Sequence, residues 1–484
     1  MRLFNIIFLV VATILIACHH SRSDHKEIKE SPIHLSQKIE SATDSLVQSE
    51  SALLGLHDSV YKLFFYQGIF AGQDGHGNIN LKYQQWQVPL VMGTMLDFNQ
   101  VYLNQFHDFL PVVAKYQPQY RNYPELMFLL YKINNWDSFP KKEQLGICRL
   151  NGYCPIIDDR LWWVNFFISY ADGLMRYESS NENIDILIGY SYKIFKSISR
   201  PQYLNKQGTR GSYSLMWHSG IAEKPYYKAT IANSLYVTAG ARLAQIIDKR
   251  YTNNRTKYGY KFVLNNTLKV ADGFFLDYSN RLNTHLKESG LLLDGVGTGT
   301  GKPNDYRSGQ VASYMFTYNQ GVVLPGMAIL SKLTGNQKYQ NYAEDLIEST
   351  IIYSSKTGGI WDDFAYQQQG GWFPDYDGIA FRLAYWQYLG LFICELSPVN
   401  DKLLFKKLSL FTRQNSKMLE LRMILPESYG ISLSESILVG ANHPLLKQFP
   451  AGNPFSAYPD GYSVPGIASL LELLFLQHKL AAYH

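Results

Sequence analysis

Asp158 and Asp159 stand side by side in Ile156-Ile157-Asp158-Asp159-Arg160-Leu161-Trp162-Trp163, a carboxylate doublet immediately ahead of an aromatic, apolar run. Cleaving a sugar acetal requires one carboxylic acid to protonate the leaving oxygen and one carboxylate to attack the anomeric carbon or activate water. Flat indoles nearby can hold the apolar face of a pyranose. The same residues also have a plainer use. Asp is common in the first turn of helices, where it accepts orphan N–H bonds, and a Trp pair is ordinary core.

Geometry limits how the doublet can work. Successive side chains in a helix interior diverge by about 100°, so a pair serving one substrate is expected where the helix starts, with both turned into a cleft. Trp162 and Trp163 each follow one aspartate by four residues, which places an indole beneath each carboxylate as a candidate substrate contact. The positive end of the helix favours ionised Asp and suits a nucleophile. The acid partner then needs its pKa raised by its charged neighbour and by apolar surface.

The elements that must position these groups read as helices. Apolar residues recur at helical spacing in segment after segment, and strand-like alternation is rare. Expected helices include Ser59–Gly68, Trp86–Asn104, Pro124–Ile133, Asp158–Arg176, Lys228–Lys249, Ser313–Leu333 and Asp377–Leu396, among about a dozen. Paired helices in that number suit an all-α fold, an (α/α)6 toroid of helical hairpins around a central cleft. The connecting segments are rich in Tyr, Trp, Asp and Gly, as in residues 211–218, 358–363, 370–376 and 454–462. Such loops suit carbohydrate, with Trp217, Trp361 and Trp372 as subsite walls or as core packing.

The amino end reads as an export signal: Arg2, an apolar stretch from Ile6 to Ala17, then Leu15-Ile16-Ala17-Cys18. It resembles a bacterial lipoprotein signal, which implies lipidation of Cys18 and a membrane partner through that anchor; an ordinary export signal is the alternative. His19 follows, with no Asp to suggest retention at the inner membrane, so the outer membrane of the cell envelope is the expected address. Residues 19–51 are polar and read as a tether, and residues 52–484 as one large catalytic domain acting as a monomer. The net charge of +5 is spread over many acids and bases, too mild for nucleic acid. Cys148 and Cys154 flank a short loop and form a disulfide or remain two free thiols; Cys394 lies in an apolar run and is expected in the core. No Cys/His array has zinc spacing, and neither metal nor cofactor is expected.

Asp158-Asp159-x-x-Trp-Trp resembles the catalytic motif of glycoside hydrolase family 76, the endo-α-1,6-mannanases. Two further segments are similar in order and spacing: Tyr227-Lys228-Ala229-Thr230-Ile231-Ala232-Asn233 with Ala241-Arg242-Leu243-Ala244, and Thr317-Tyr318-Asn319-Gln320-Gly321 with Leu333-Thr334-Gly335. Weaker matches are Trp86-Gln87, Asp294-Gly295 and Gly378-Ile379-Ala380-Phe381-Arg382, where Asp377 replaces the family's usual Lys. The resemblance implies retaining, internal cleavage of α-1,6-mannosidic bonds, with Asp158 as nucleophile and Asp159 as acid/base. The amides of Asn233, Asn319 and Gln320 and the ring or hydroxyl of Tyr318 are candidate contacts to an oligosaccharide or polysaccharide, although Asn319 equally suits a helix start. The competing readings are a glycan-binding lipoprotein without turnover and another α/α-toroid enzyme, an unsaturated glucuronyl hydrolase or a sugar epimerase.

Overall fold

The computed structural model describes residues 86–97, most of 156–275, 290–299, most of 309–423 and several helical residues between 469 and 480. All of them lie in the unit Ala52–His484. The expected helices Ser59–Gly68 and Pro124–Ile133, together with Cys18, the tether, Cys148, Cys154 and Trp361, fall outside the described residues.

Besides the helical residues between 469 and 480, the described helices are α1 (Val88–Asp97), α2 (Ile157–Tyr177), α3 (Asn183–Ile198), α4 (Thr230–Arg250), α5 (Tyr260–Gly273), α6 (Thr317–Gly321), α7 (Leu324–Thr334), α8 (Lys338–Thr357), α9 (Tyr376–Glu395) and α10 (Lys402–Met423). Their burial sorts them into two classes. Along α4 every residue from Thr230 to Ala244 is buried, and along α9 every residue from Ala380 to Gly390. A helix buried on all sides is enclosed by its neighbours, whereas α3, α5 and α8 expose one face and bury the other. Packing follows from this division. The enclosed helices touch in a closed cycle, α1 on α2, α2 on α4, α4 on α7, α7 on α9 and α9 on α1, while α3 and α5 cover α4 and α8 covers α7.

Two glycines set how closely the inner helices approach. A Cβ on Gly326 of α7 would stand 2.8 Å from the Thr238 Cα of α4, and one on Gly321 of α6 would stand 2.9 Å from the Tyr385 Cα of α9. Neither contact leaves room for a side chain. The stretch expected as one helix over Ser313–Leu333 breaks at Val322-Val323, where Pro325 opens α7. The Val322 carbonyl at the break accepts a hydrogen bond of 2.6 Å from the Thr238 hydroxyl across the interface.

Short strands, unforeseen in the sequence, sit at the helix starts. They are β1 (Leu204–Asn205), β2 (Ser214–Leu215), β3 (Tyr227–Ala229), β4 (Gly295–Gly297), β5 (Val311–Ala312), β6 (Tyr366–Gln368) and β7 (Gly371–Phe373). β1 pairs with β2, β4 lies between β3 and β5, and β6 pairs with β7, all antiparallel. Strands of two or three residues are too short to show alternation, which is why the apolar pattern missed them. Lys228 and Ala229, expected inside a helix, therefore belong to β3, and α4 starts at Thr230, whose N–H donates to the Asp294 carbonyl at 2.6 Å. Cys394 is also corrected: it is exposed near the end of α9, its thiol 3.5 Å from Lys479 Nζ. The apolar run around it faces the core, but its own position on the helix turns outward.

The helix contact at Gly326 gives a direct test. Gly326→Ala places a methyl against Thr238 backbone that cannot swing aside, and overpacking of this kind costs about 1–3 kcal/mol. Thermal unfolding of the variant should show a melting temperature lowered by several degrees; an unchanged value would contradict the close α4–α7 approach.

Candidate active site

The amino ends of the inner helices meet at one end of the ring. Asp158 is the second residue of α2, and Asp294, just before β4, acts electrostatically on it. The Asp294 carbonyl receives the Thr230 N–H at the start of α4, and its carboxylate receives Nδ2 of Asn319, in the first turn of α6, at 3.5 Å. Trp86, just ahead of α1, packs 5.6 Å from Phe381 in the early turns of α9, and Phe381 stacks on Tyr318 at 3.8 Å. The first N–H groups of a helix lack partners within it and carry partial positive charge, a favourable setting for carboxylates.

Asp158 is 9 % exposed. Its Oδ2 accepts a hydrogen bond from the indole Nε1 of Trp217 at 3.1 Å, while its Oδ1 is buried with no partner. Burial pushes its pKa up to about 7, and the nearby Asp294 adds to the rise; the Trp217 bond and the N–H groups of Asp158 and Asp159 pull the other way. The helix start favours ionised Asp, but at Asp158 desolvation outweighs it. The doublet sits one residue inside the helix and is unequally buried: Asp158 is buried and Asp159 half-buried.

Trp217 is held by backbone on both sides. Its N–H donates to the Tyr227 carbonyl of β3 at 2.9 Å, and its carbonyl accepts from Ile157 N–H, the first residue of α2, at 2.8 Å. The ring stands edge-on to Tyr227, centroids 6.3 Å apart. The Tyr227 hydroxyl in turn donates to Asp294 Oδ2 at 2.6 Å. Burial raises the Asp294 pKa, opposed by the bonds from Tyr227 and Asn319. In the sequence Asp294 showed only as half of a weak dipeptide match; the available signal was an acid directly after Leu291-Leu292-Leu293, an apolar triplet that the fold buries completely.

Several expected sugar contacts have other tasks. Trp162 and Trp163 are 3 % and 2 % exposed and pack in the core, Trp162 on Trp86 and Tyr388, Trp163 on Phe166 and Phe167. Their indoles lie on the buried face of α2, so they dry the region behind the doublet rather than line a cleft. Asn233 is fully buried: its Oδ1 accepts from Leu215 N–H and the Ser214 hydroxyl, and its Nδ2 donates to the carbonyls of Leu215 and Ala229. Gln320 is used the same way, with Oε1 accepting from Leu292 N–H and Nε2 donating to the carbonyls of Leu292 and Phe316. Both amides replace missing backbone partners where strands and loops meet helices, and both are fully buried, out of reach of sugar. Asn319 is buried with its Oδ1 unpartnered. Tyr318, 9 % exposed, ends an aromatic row that continues through Phe316 to Tyr314, which is 60 % exposed. Trp372 lies on β7.

A cavity of about 520 Å³ opens at the opposite end of the ring, lined by Asp97, Arg176, Arg242, Lys249, Glu395 and Lys479 among others. It is remote from Asp158, and Arg176 and Lys249 there lie in the last turns of α2 and α4, where cations complement the helix ends. Among the described residues no three His, Cys, Asp or Glu side chains gather as metal ligands.

The comparisons fit this architecture. The model of Glycosyl hydrolase family 76 matches residues 57–417, and the chain belongs to that family of glycoside hydrolases. Among solved structures, the α-1,6-mannanase of a Salegentibacter species is similar over 89 % of this chain and 99 % of its own, at 15 % identity and TM-score 0.52. Dfg5 from Chaetomium thermophilum, in complex with glucosamine, is 13 % identical with TM-score 0.52, covering 88 % and 90 % of the two chains. A family 76 mannosidase from Bacteroides thetaiotaomicron is 11 % identical with TM-score 0.50, covering 90 % and 99 %. These likenesses establish the α/α toroid. The comparison with curated proteins found no match.

The buried carboxyl has a measurable consequence. Folding raises the Asp158 pKa to about 7, so the stability this group contributes is complete below its unfolded value of about 4 and is lost as pH rises through about 7. Asp158→Asn removes that loss while keeping an acceptor for Trp217. In thermal or urea unfolding the variant should match the native protein near about pH 4 and exceed it above about pH 8, by up to about 4 kcal/mol; equal stabilities at both pH values would contradict the desolvated carboxyl.

Proposed function

We propose that the chain is a retaining, endo-acting glycosidase for α-1,6-linked, mannan-like glycans. Asp158 attacks the anomeric carbon; Asp159 protonates the departing oxygen and then takes a proton from water. The observation that carries this reading is the contrast within the doublet: Asp158 is buried with one oxygen on an indole N–H, and Asp159 is half-buried beside it. A carboxylate held by a donor keeps its aim at carbon. A partner with solvent access can exchange its proton between the two half-reactions. The substrate class is supported by the Salegentibacter enzyme, whose inactive variant carries asparagine at two consecutive aspartates and is in complex with α-1,6-mannotriose. The row Tyr314, Phe316, Tyr318 offers aromatic surface leading from solvent toward Asn319 and Asp294.

One observation favours a second reading. A carboxyl with a pKa of about 7 suits an acid near neutral pH, which would exchange the roles of the two aspartates. An activated fluoro-sugar separates the two, since the residue carrying the trapped glycosyl ester in peptide mass spectrometry is the nucleophile.

We also propose that the enzyme is held at the bacterial envelope, in the outer membrane, by lipid on Cys18, through the tether of residues 19–51. Metabolic labelling with a fatty acid should mark the native protein and not Cys18→Ser; label on both would contradict the anchor.

Incubated with α-1,6-mannan, the native protein should release reducing ends. Asp158→Asn and Asp159→Asn should each lose about 10²–10⁴-fold or more in kcat. A loss below tenfold from Asp159→Asn would contradict its acid/base role, and no release by the native protein across a panel of α-mannans would favour a binding protein.

A further inference from the structure

The segment from Ser214 to Trp217 is fixed at every residue by a different part of the ring. Ser214 and Leu215 form β2, paired with Leu204 and Asn205 of β1. Asn233 of α4 bonds both the N–H and the carbonyl of Leu215 and also accepts from the Ser214 hydroxyl. The Met216 N–H donates to the Tyr203 carbonyl at 2.8 Å. Lys228, fully buried on β3, donates its Nζ to the Asn205 carbonyl at 2.7 Å and so joins β1 to β3. At the end of this strap Trp217 is tied to β3 by its N–H and to the first residue of α2 by its carbonyl. The side chain of Trp217 then places its Nε1 on Asp158 Oδ2.

This arrangement does more than a sugar wall needs. A stacking platform requires only a ring face, whereas here the indole N–H is also directed at the carboxylate and the ring stands perpendicular to that of Tyr227. We infer that Trp217 is a positioning residue for Asp158: the strap clamped by Asn233 delivers an indole N–H that fixes the carboxylate's orientation for attack. The inference rests on the nucleophile assignment above. It also gives Asn233, three links from the carboxylate, a role in catalysis without contact to sugar.

The physical effect has a sign. A donor on a carboxylate stabilises its charged form, so the Trp217 bond holds Asp158 lower than burial alone would leave it. Among the described residues, the charged and titratable groups around Asp158 are Asp159 and Arg160 next to it on α2 and Asp294 across from it, with Tyr227 of β3 bonded to Asp294. Of these, Asp294 opposes ionisation, which leaves Trp217 as the side-chain donor that works against it.

Trp217→Phe keeps an aromatic ring and removes the donor. A hydrogen bond to a charged group of this kind corresponds to about one pH unit or more, so the acidic limb of the kcat/KM profile should move upward by that amount and kcat near neutrality should fall about tenfold or more, with KM within about twofold. Trp217→His, which restores an N–H, should recover part of the loss. In the pair with Asn233→Ser the combined loss should be smaller than the product of the separate losses, because both act through one bond. A raised KM with kcat and both limbs unchanged would overturn the inference in favour of a sugar wall. A lowered melting temperature with an unmoved limb would overturn it in favour of a purely structural strap. Upward movement of the basic limb would support the hold on Asp158 while overturning its assignment as nucleophile. A readout independent of turnover separates the inference from the substrate reading: in protein labelled with nitrogen-15 tryptophan, the indole signal absent from Trp217→Phe should shift as Asp158 titrates, with a midpoint of about 7. A pH-invariant signal would overturn the inference even if no glycan is ever cleaved.

Discussion

A carboxyl group kept out of water is the constraint around which this domain is arranged. Asp158 has one oxygen on the Trp217 indole and another with no partner, a state that folding opposes and that only a rigid surround can maintain. The surround is the ring. Trp162 and Trp163 fill the space behind the first turn of α2, Trp86 and Phe381 extend that dry layer to α1 and α9, and Gly326 and Gly321 let the inner helices approach to backbone contact. Stability is thereby invested in the scaffold and partly given up at the site, as expected where chemistry requires a group in the wrong solvent.

The same economy explains the buried amides. At one end of the ring, short strands feed directly into helix starts, and each junction leaves peptide groups that neither ladder nor helix can pair. Asn233 and Gln320 pair them, one at the β2 segment and one at Leu292. Because Leu292 and Trp217 lead to Asp294 and Asp158, these amides set where the carboxylates stand. Asn319 differs from them: it reaches Asp294 with Nδ2 and leaves its Oδ1 without a partner, so it belongs with the carboxylates rather than with the junctions.

How much of this could be read from the chain depends on the length scale of each signal. The helices α2, α4 and α9 were legible because their apolar content persists over many turns, and the doublet was legible because further segments of the same family resemblance accompany it, since adjacent acids before an aromatic run also suit a plain helix start. The strands were not, since two or three residues cannot display a period. The tasks of Asn233 and Gln320 were misread for a related reason: an amide that bonds backbone and one that bonds sugar are the same residue in a sequence, and only the position of Leu215 or Leu292 distinguishes them. Trp217 was found as an aromatic residue in a loop, but the direction of its N–H is a property of the strap and of α2 together. Asp294 went nearly unnoticed because its partners Tyr227 and Asn319 are distant in the chain.

The fold desolvates Asp158 and raises its proton affinity, while neighbouring peptide N–H groups and Trp217 restrain the rise. Carbon-13 NMR of aspartate-labelled protein, with the Asp158 carboxyl signal assigned by its loss in Asp158→Asn, measures this without any substrate. The Asp158 carboxyl should titrate at about 7. A value near about 4, that of an aspartate in water, would contradict it.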